Sequence, residues 1–211
     1  MERNDFTGIL YHDLPQMVIG FHGCDESVAL KIVNSTKEHI HPSTKNFDWL
    51  GSGAYFWLND PLRAYEWAQL SMERGNAEIK NPCVVGAVID LGRCLNLCER
   101  SSIQILQEGY DRLDYEFAQN NCDISEELEN YIPDKAGFNL KRPLDCAVIQ
   151  KVNELYDEAG TPFDTVYGYF QEGQPAYPGS DIREKSHIQI CVRNMDCIKG
   201  YFLPRCNIRP E

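Results

Sequence analysis

The stretch "GSGAYFWLNDPLRAYEWAQLSMERG", residues 51–75, decides how the rest of the chain is read. Ala54–Leu58 is an aromatic and apolar run of strand composition. Directly after it, Asn59 or Asp60 can cap a helix, Pro61 suits its first turn, and Gly75 ends it. Leu62, Tyr65, Ala68 and Leu70 or Met72 read as the inward face of that helix. A strand feeding a capped helix is a firm anchor, and the neighbouring segments can be placed on either side of it.

Upstream, "QMVIGFHG" (16–23) is a short strand stopping at Gly23. "DESVALKIVNS" (25–35) follows, with Asp25 as a cap and Val28, Leu30, Ile32 and Val33 as a partly helical apolar face. "TKEHIHPSTKNFDWLGSG" (36–53) reads as a loop. Downstream, "CVVGAVIDL" (83–91) is a strongly apolar strand that "GRC" turns off. From about Asn96 to Gly160 the pattern is helical. "SSIQILQEGYDRLDYEFAQNN" carries Ile103, Leu106, Leu113 and Phe117, and "LDCAVIQKVNELYDEAG" is a second helix. Between them, "SEELENYIPDKAGFNLKRP" is acidic and broken by Pro133 and Gly137, so it reads as a surface excursion. Strands return in "FDTVYGYF", "SHIQICV" and "CIKGYFL". Strands, then helices, then strands predict one α+β domain over 1–211 with antiparallel sheets, since a doubly wound fold alternates strand and helix throughout.

The 211 residues suffice for one domain with a real core. A net charge of -12 gives no overall basic footprint for nucleic acid. The nine cysteines are odd in number, and several sit inside apolar runs. The first 16 residues lack the apolar region of a signal peptide. No run approaches the roughly 18 apolar residues of a membrane span. The expectation is a soluble, cytoplasmic protein with reduced, mostly buried thiols and no membrane partner. Cys94 and Cys98 have a zinc-compatible spacing, but no second ligand pair follows, so no metal site is expected. Cys24 as a nucleophile lacks an orienting partner downstream.

Three elements carry chemistry when read together. His22-Gly23 closes a strand, where glycine lets a ligand approach the backbone; the simpler reading is a satisfied histidine before a turn. Tyr55 and Tyr65 lie on the strand and helix of the opening stretch, where aromatic faces can stack on a planar ring; core packing is the simpler reading, and the preferred one for Trp57 and Trp67. In "SHIQICV", Ile188, Ile190 and Val192 form the core face, which puts His187, Gln189 and Cys191 on the other. Gln189 there suits a ligand hydroxyl or, equally, solvent.

The ordered set "FHG", "GAYFWLNDPLRAYEWA" and "HIQICVRNMDCIKGYF" resembles the ADP-ribosyltransferase superfamily, in its diphtheria-toxin-like and poly(ADP-ribose)-polymerase-like branch. The likeness covers about residues 17–92 and 163–203; the helical middle, about 96–160, is an insertion that matches nothing in it. The resemblance implies an α+β fold with two antiparallel sheets around an NAD cleft. It implies that His22 holds the adenosine ribose and that the Gly23 backbone pairs with the nicotinamide amide. Tyr55 and Tyr65 would sandwich the nicotinamide, with Ser52 and Gly53 beside the cofactor. Gln189 would bind the nicotinamide-ribose 2′-hydroxyl. Most members carry a carboxylate at that place, which favours the developing positive charge. Glu184 or Asp181 from the preceding loop can supply one, and His187 takes the same face if the register shifts by two.

The expected activity is mono-ADP-ribosyl transfer from NAD to a macromolecular acceptor, protein or nucleic acid, in a bacterial toxin or phage-defence effector. An antitoxin or inhibitor protein is a further expected partner. An NAD glycohydrolase and a catalytically silent NAD-binding module are the alternatives.

Overall fold

The computed structural model describes residues 17–133 and 139–205. Residues 1–16, Gly137 and Cys206 lie outside the described residues. The elements are β1 (Met17–Asp25), α1 (Glu26–Val33), β2 (Ala54–Leu58), α2 (Pro61–Glu73), β3 (Pro82–Asp90) and β4 (Cys94–Asn96). They continue with α3 (Arg100–Gln119), α4 (Ile124–Glu127), β5 (Tyr131–Pro133), β6 (Asn139–Lys141), α5 (Pro143–Glu158), β7 (Thr165–Phe170), β8 (His187–Val192) and β9 (Ile198–Phe202). The class is α+β. The excursion after α3 holds α4 and the β5–β6 hairpin.

Local chemistry explains the helix starts. Asp25 accepts from Ser27 N and caps α1, and Asp60 accepts from Arg63 N and caps α2 with Pro61 at its start. The buried face of α2 differs from the one expected. Arg63, Ala64 and Ala68 are buried, while Leu62, Leu70 and Met72 are exposed. The reason is close approach: a Cβ at Gly23 would lie 2.0 Å from the Ala64 carbonyl oxygen. Only small residues fit between a helix backbone and a strand that near.

Seven strands form one sheet in the order β4-β7-β8-β2-β1-β3-β9. This corrects the expectation of two antiparallel sheets around a cleft: all seven strands join one mixed sheet with a parallel β4–β7 pair, and the other sheet among the described residues is the two-stranded β5–β6 pair. The large sheet is unevenly stitched. β1 runs against β3 from Met17↔Asp90 to Asp25↔Pro82, but against β2 only at Gly20↔Leu58 and Phe21↔Trp57. Past Phe21 the two strands part.

Both sheet faces are covered. On one, Phe56, Val85, Ala87, Ile89, Ile190 and Val192 pack with Ala29 and Ile32 of α1. On the other, Val166, Phe170 and Cys191 pack under Ile149 and Val152 of α5, and Trp57 and Val84 pack under Ala64 of α2. α3 packs on α5 and α4 in a cluster of Leu113, Ile124 and Val148, and its Ile105 and Leu106 also pack against the cluster under α5. Thus the helical middle contributes α5 to the core. Among the described residues, no helix is long and apolar enough to cross a membrane.

Candidate active site

The parting of β1 from β2 is held by a side chain. His22 Nδ1 lies 2.7 Å from the Tyr55 carbonyl oxygen. A carbonyl only accepts, so Nδ1 carries the proton. Burial lowers the His22 pKa below its ordinary 6.5, which keeps the ring neutral. Nε2 is then a bare acceptor. Phe56 and Trp67 flank the ring at 5.9 and 6.3 Å between centroids.

Two glycines of the expected site have packing reasons of their own. Gly23 lies under the α2 backbone, and a Cβ at Gly53 would meet Cys191 Sγ at 2.5 Å and Val192 O at 2.6 Å. Ser52 lines a different place, a cavity of about 310 Å³ with Gln150, Asn153 and Arg193.

Tyr55 and Tyr65 pack into two different clusters on the same face of the sheet. The Tyr55 ring joins the cluster under α5, and its hydroxyl donates to Gly51 O at 2.6 Å and accepts from Leu50 N at 2.9 Å. Burial pushes its pKa up, so it stays a phenol. Tyr65 packs with Trp57, Ala64 and Val84 under α2. Trp57 is core, as expected, but Trp67 is not: it is 39% exposed and stands over His22. Sequence periodicity carried no sign of this, because helix phase was set by the wrong apolar residues.

Across the sheet from β1, Gln189 pairs with Trp57 of β2 and with Gly168 of β7. Its face is not open: His187 and Cys191, two residues to either side, are buried. His187 Nδ1 lies 2.7 Å from Lys185 O, and its Nε2 lies 3.1 Å from Gln189 Nε2. The ring stacks on Trp49 at 6.1 Å and 19°. Burial lowers its pKa, with Arg63 adding to the effect and Glu172 opposing it.

Arg63 and Glu172 are the site residues that sequence reading missed. Arg63, on α2, donates from Nη1 to Glu66 at 2.8 Å and from Nη2 to Glu172 at 2.7 Å. Glu172 stands 3.8 Å from His187 Nδ1. It is the carboxylate nearest this histidine among the described residues' ion pairs. Glu184 instead turns to its own loop, where Oε1 accepts from Gln174 N at 3.3 Å, and Asp181 is exposed there. The buried Trp57 Nε1 and Arg63 Nε lack hydrogen-bond partners among the described residues, a cost of about 1–3 kcal/mol each.

Other candidates carry less. His39 meets the Tyr201 hydroxyl at 3.3 Å, and His41 is exposed. Among the described residues no group of three or more His, Cys, Asp or Glu side chains is arranged to hold a metal ion. Cys24, Cys146, Cys191 and Cys197 are buried, whereas Cys98 and Cys122 are exposed. Burial pushes the Cys24 thiol up to about 12, which is the wrong direction for a nucleophile. No family model, curated protein or solved structure matches the chain.

Proposed function

We propose that the chain is a mono-ADP-ribosyltransferase that takes NAD as substrate and passes ADP-ribose to a macromolecular acceptor. The observation that carries this reading is a pair of hydrogen-bond acceptors on the strands flanking β2. His22 Nε2 and Gln189 Oε1 each stand with the neighbouring donor already consumed, by Tyr55 O and by His187. Two fixed acceptors suit the hydroxyls of two riboses. His22 would take the adenosine ribose and Gln189 the nicotinamide ribose, with Tyr65 and Trp67 as stacking faces. As nicotinamide leaves, positive charge grows on the ribose ring, and the negative end of the Gln189 carbonyl dipole favours it.

A second reading has support of its own. The neutral Gln189 brings no charge, and the nearest carboxylate, Glu172, is clamped by Arg63. That pairing favours NAD binding without turnover. One assay separates the readings: nicotinamide release from NAD with and without protein and RNA acceptors, followed by a mass-spectrometric search for ADP-ribose adducts. Release that rises only with acceptor, with adducts, supports the transferase. Equal release without acceptor means a glycohydrolase, and binding without release means a silent module.

A further inference from the structure

We infer that His187 decides which end of the Gln189 amide stays free for a ligand, and so makes Gln189 an acceptor for hydroxyl donors. The inference rests on the proposed function only in naming the hydroxyl as a ribose hydroxyl. Its ground is a proton count. Lys185 O can only accept, so His187 Nδ1 carries the proton that spans 2.7 Å to it. In the neutral ring, Nε2 is then a lone pair. The group 3.1 Å away must be a donor, which fixes the NH2 end of Gln189 toward His187 and leaves Oε1 free of it. Nothing in the ring can turn over to undo this. Its side chain is fully covered, and Trp49, Trp57 and Phe170 surround it at 6.1, 6.3 and 6.1 Å.

Protonation reverses the arrangement. A doubly protonated His187 offers Nε2–H, which needs the oxygen of Gln189, so the amide turns and shows its NH2 to the ligand. The charged groups facing His187 set where this happens. Arg63 from α2 opposes the charge, while Asp60 at the start of α2 and Glu172 after β7 favour it. Glu66 and Lys185 act at one remove: Glu66 shares Arg63 with Glu172, and the Lys185 amine lies 3.8 Å from Glu66. Arg142 stacks over Trp49 and Phe170 on the far side. His187 is therefore a positioning residue: it acts on the ligand through Gln189.

Two measurements test this on the full chain. In the free protein at pH 7.5, ¹⁵N NMR should find His187 as the Nδ1–H tautomer, with a coupling across the hydrogen bond from the Gln189 side-chain nitrogen to His187 Nε2. An Nε2–H tautomer overturns the inference. In nicotinamide release from NAD, His187→Phe should lower kcat/KM roughly tenfold. His187→Asn, whose side-chain oxygen can accept the same bond, should recover most of that loss and remove one ionisation from the acid limb of the pH profile. His187→Phe combined with Gln189→Ala should be no worse than Gln189→Ala alone. Additive losses, or an acid limb identical in wild type and His187→Asn, overturn it. If wild type releases no nicotinamide, the proposed function fails, and the NMR result still decides the positioning role.

Discussion

β1 has two neighbours and treats them differently. Toward β3 it is zipped along its whole length, from Met17↔Asp90 to Asp25↔Pro82. Toward β2 it pairs at Gly20 and Phe21, then parts, and the His22 imidazole reaches the Tyr55 carbonyl that a backbone N–H would otherwise satisfy. The zipped side is built from apolar burial: Val85, Ala87 and Ile89 are 0% exposed. The parted side is built from polar groups with fixed proton positions. A sheet can accept a ligand between strands only where its ladder is interrupted and the orphaned backbone groups are otherwise satisfied. Between β1 and β2 the ladder is interrupted in this way, and of the residues expected to bind NAD, His22 and Gly23 lie on β1 and Tyr55 on β2, with Gln189 on the neighbouring β8.

The largest effect tests the zipped side. Ile89→Ala should cost about 2–5 kcal/mol of stability, read as a lower urea midpoint with an unchanged slope. Any loss of nicotinamide release should follow the unfolded fraction and nothing more. His22→Ala should do the opposite. It removes one hydrogen bond, about 1 kcal/mol of stability, but should cut kcat/KM for nicotinamide release about a hundredfold. Near-wild-type turnover in folded His22→Ala would take His22 out of the site. Tyr55→Ala is a poor companion, because the Tyr55 ring is part of the α5 cluster and its hydroxyl holds the 50–51 backbone. Tyr55→Phe removes the hydroxyl alone.

The comparison also shows what could be read in advance. β1, β2, β3, β7, β8 and β9 were legible because each is a short apolar run bounded by turn residues. α2 was legible at its ends because Asp60, Pro61 and Gly75 act locally. Its buried face was not, since that depends on Gly23 letting the helix backbone at Ala64, 41 positions later, settle on β1. Arg63 and Glu172 failed for the same reason: 109 positions separate them, and no periodicity links them. His22 and Gln189 stand out in the sequence as candidates because their strands carry recognisable neighbours. The acceptor role of each does not, because it rests on Tyr55 O and Lys185 O, backbone atoms that sequence does not place.

A smaller effect follows from the two neutral histidines. Burial lowers the pKa of both His22 and His187 from 6.5. Below 6.5 the unfolded chain therefore binds protons that the folded chain refuses, and stability falls as pH drops from 6.5 toward the lowered folded values. It is fully present above 6.5. Urea midpoints measured from pH 7.5 down to 5 should decline, and the decline should shrink in His22→Ala. Most carboxylates contribute little in that window, since their ordinary pKa values lie near 4; Asp48, whose pKa burial raises, opposes the histidines there by stabilising the fold as pH falls. A flat profile would mean that the parted junction admits charge, and the assignment of its acceptors would fall with it.

The smallest effect separates two exposed residues of α2. Leu62 is 46% exposed and Trp67 39%, and by exposure alone neither matters to the fold. Their places differ. Leu62 lies in the first turn of α2, with no part in the described clusters, while Trp67 stands 6.3 Å from His22 and 6.1 Å from Trp57. Leu62→Ala should leave stability within about 0.5 kcal/mol and NAD affinity unchanged. Trp67→Ala should leave stability similarly untouched but weaken NAD binding by calorimetry roughly fivefold, the loss of one stacking face. Equal affinities in the two variants would place the ligand away from α2. The junction between β1 and β2 would then be a seam in the sheet, held shut by His22, with no bearing on binding.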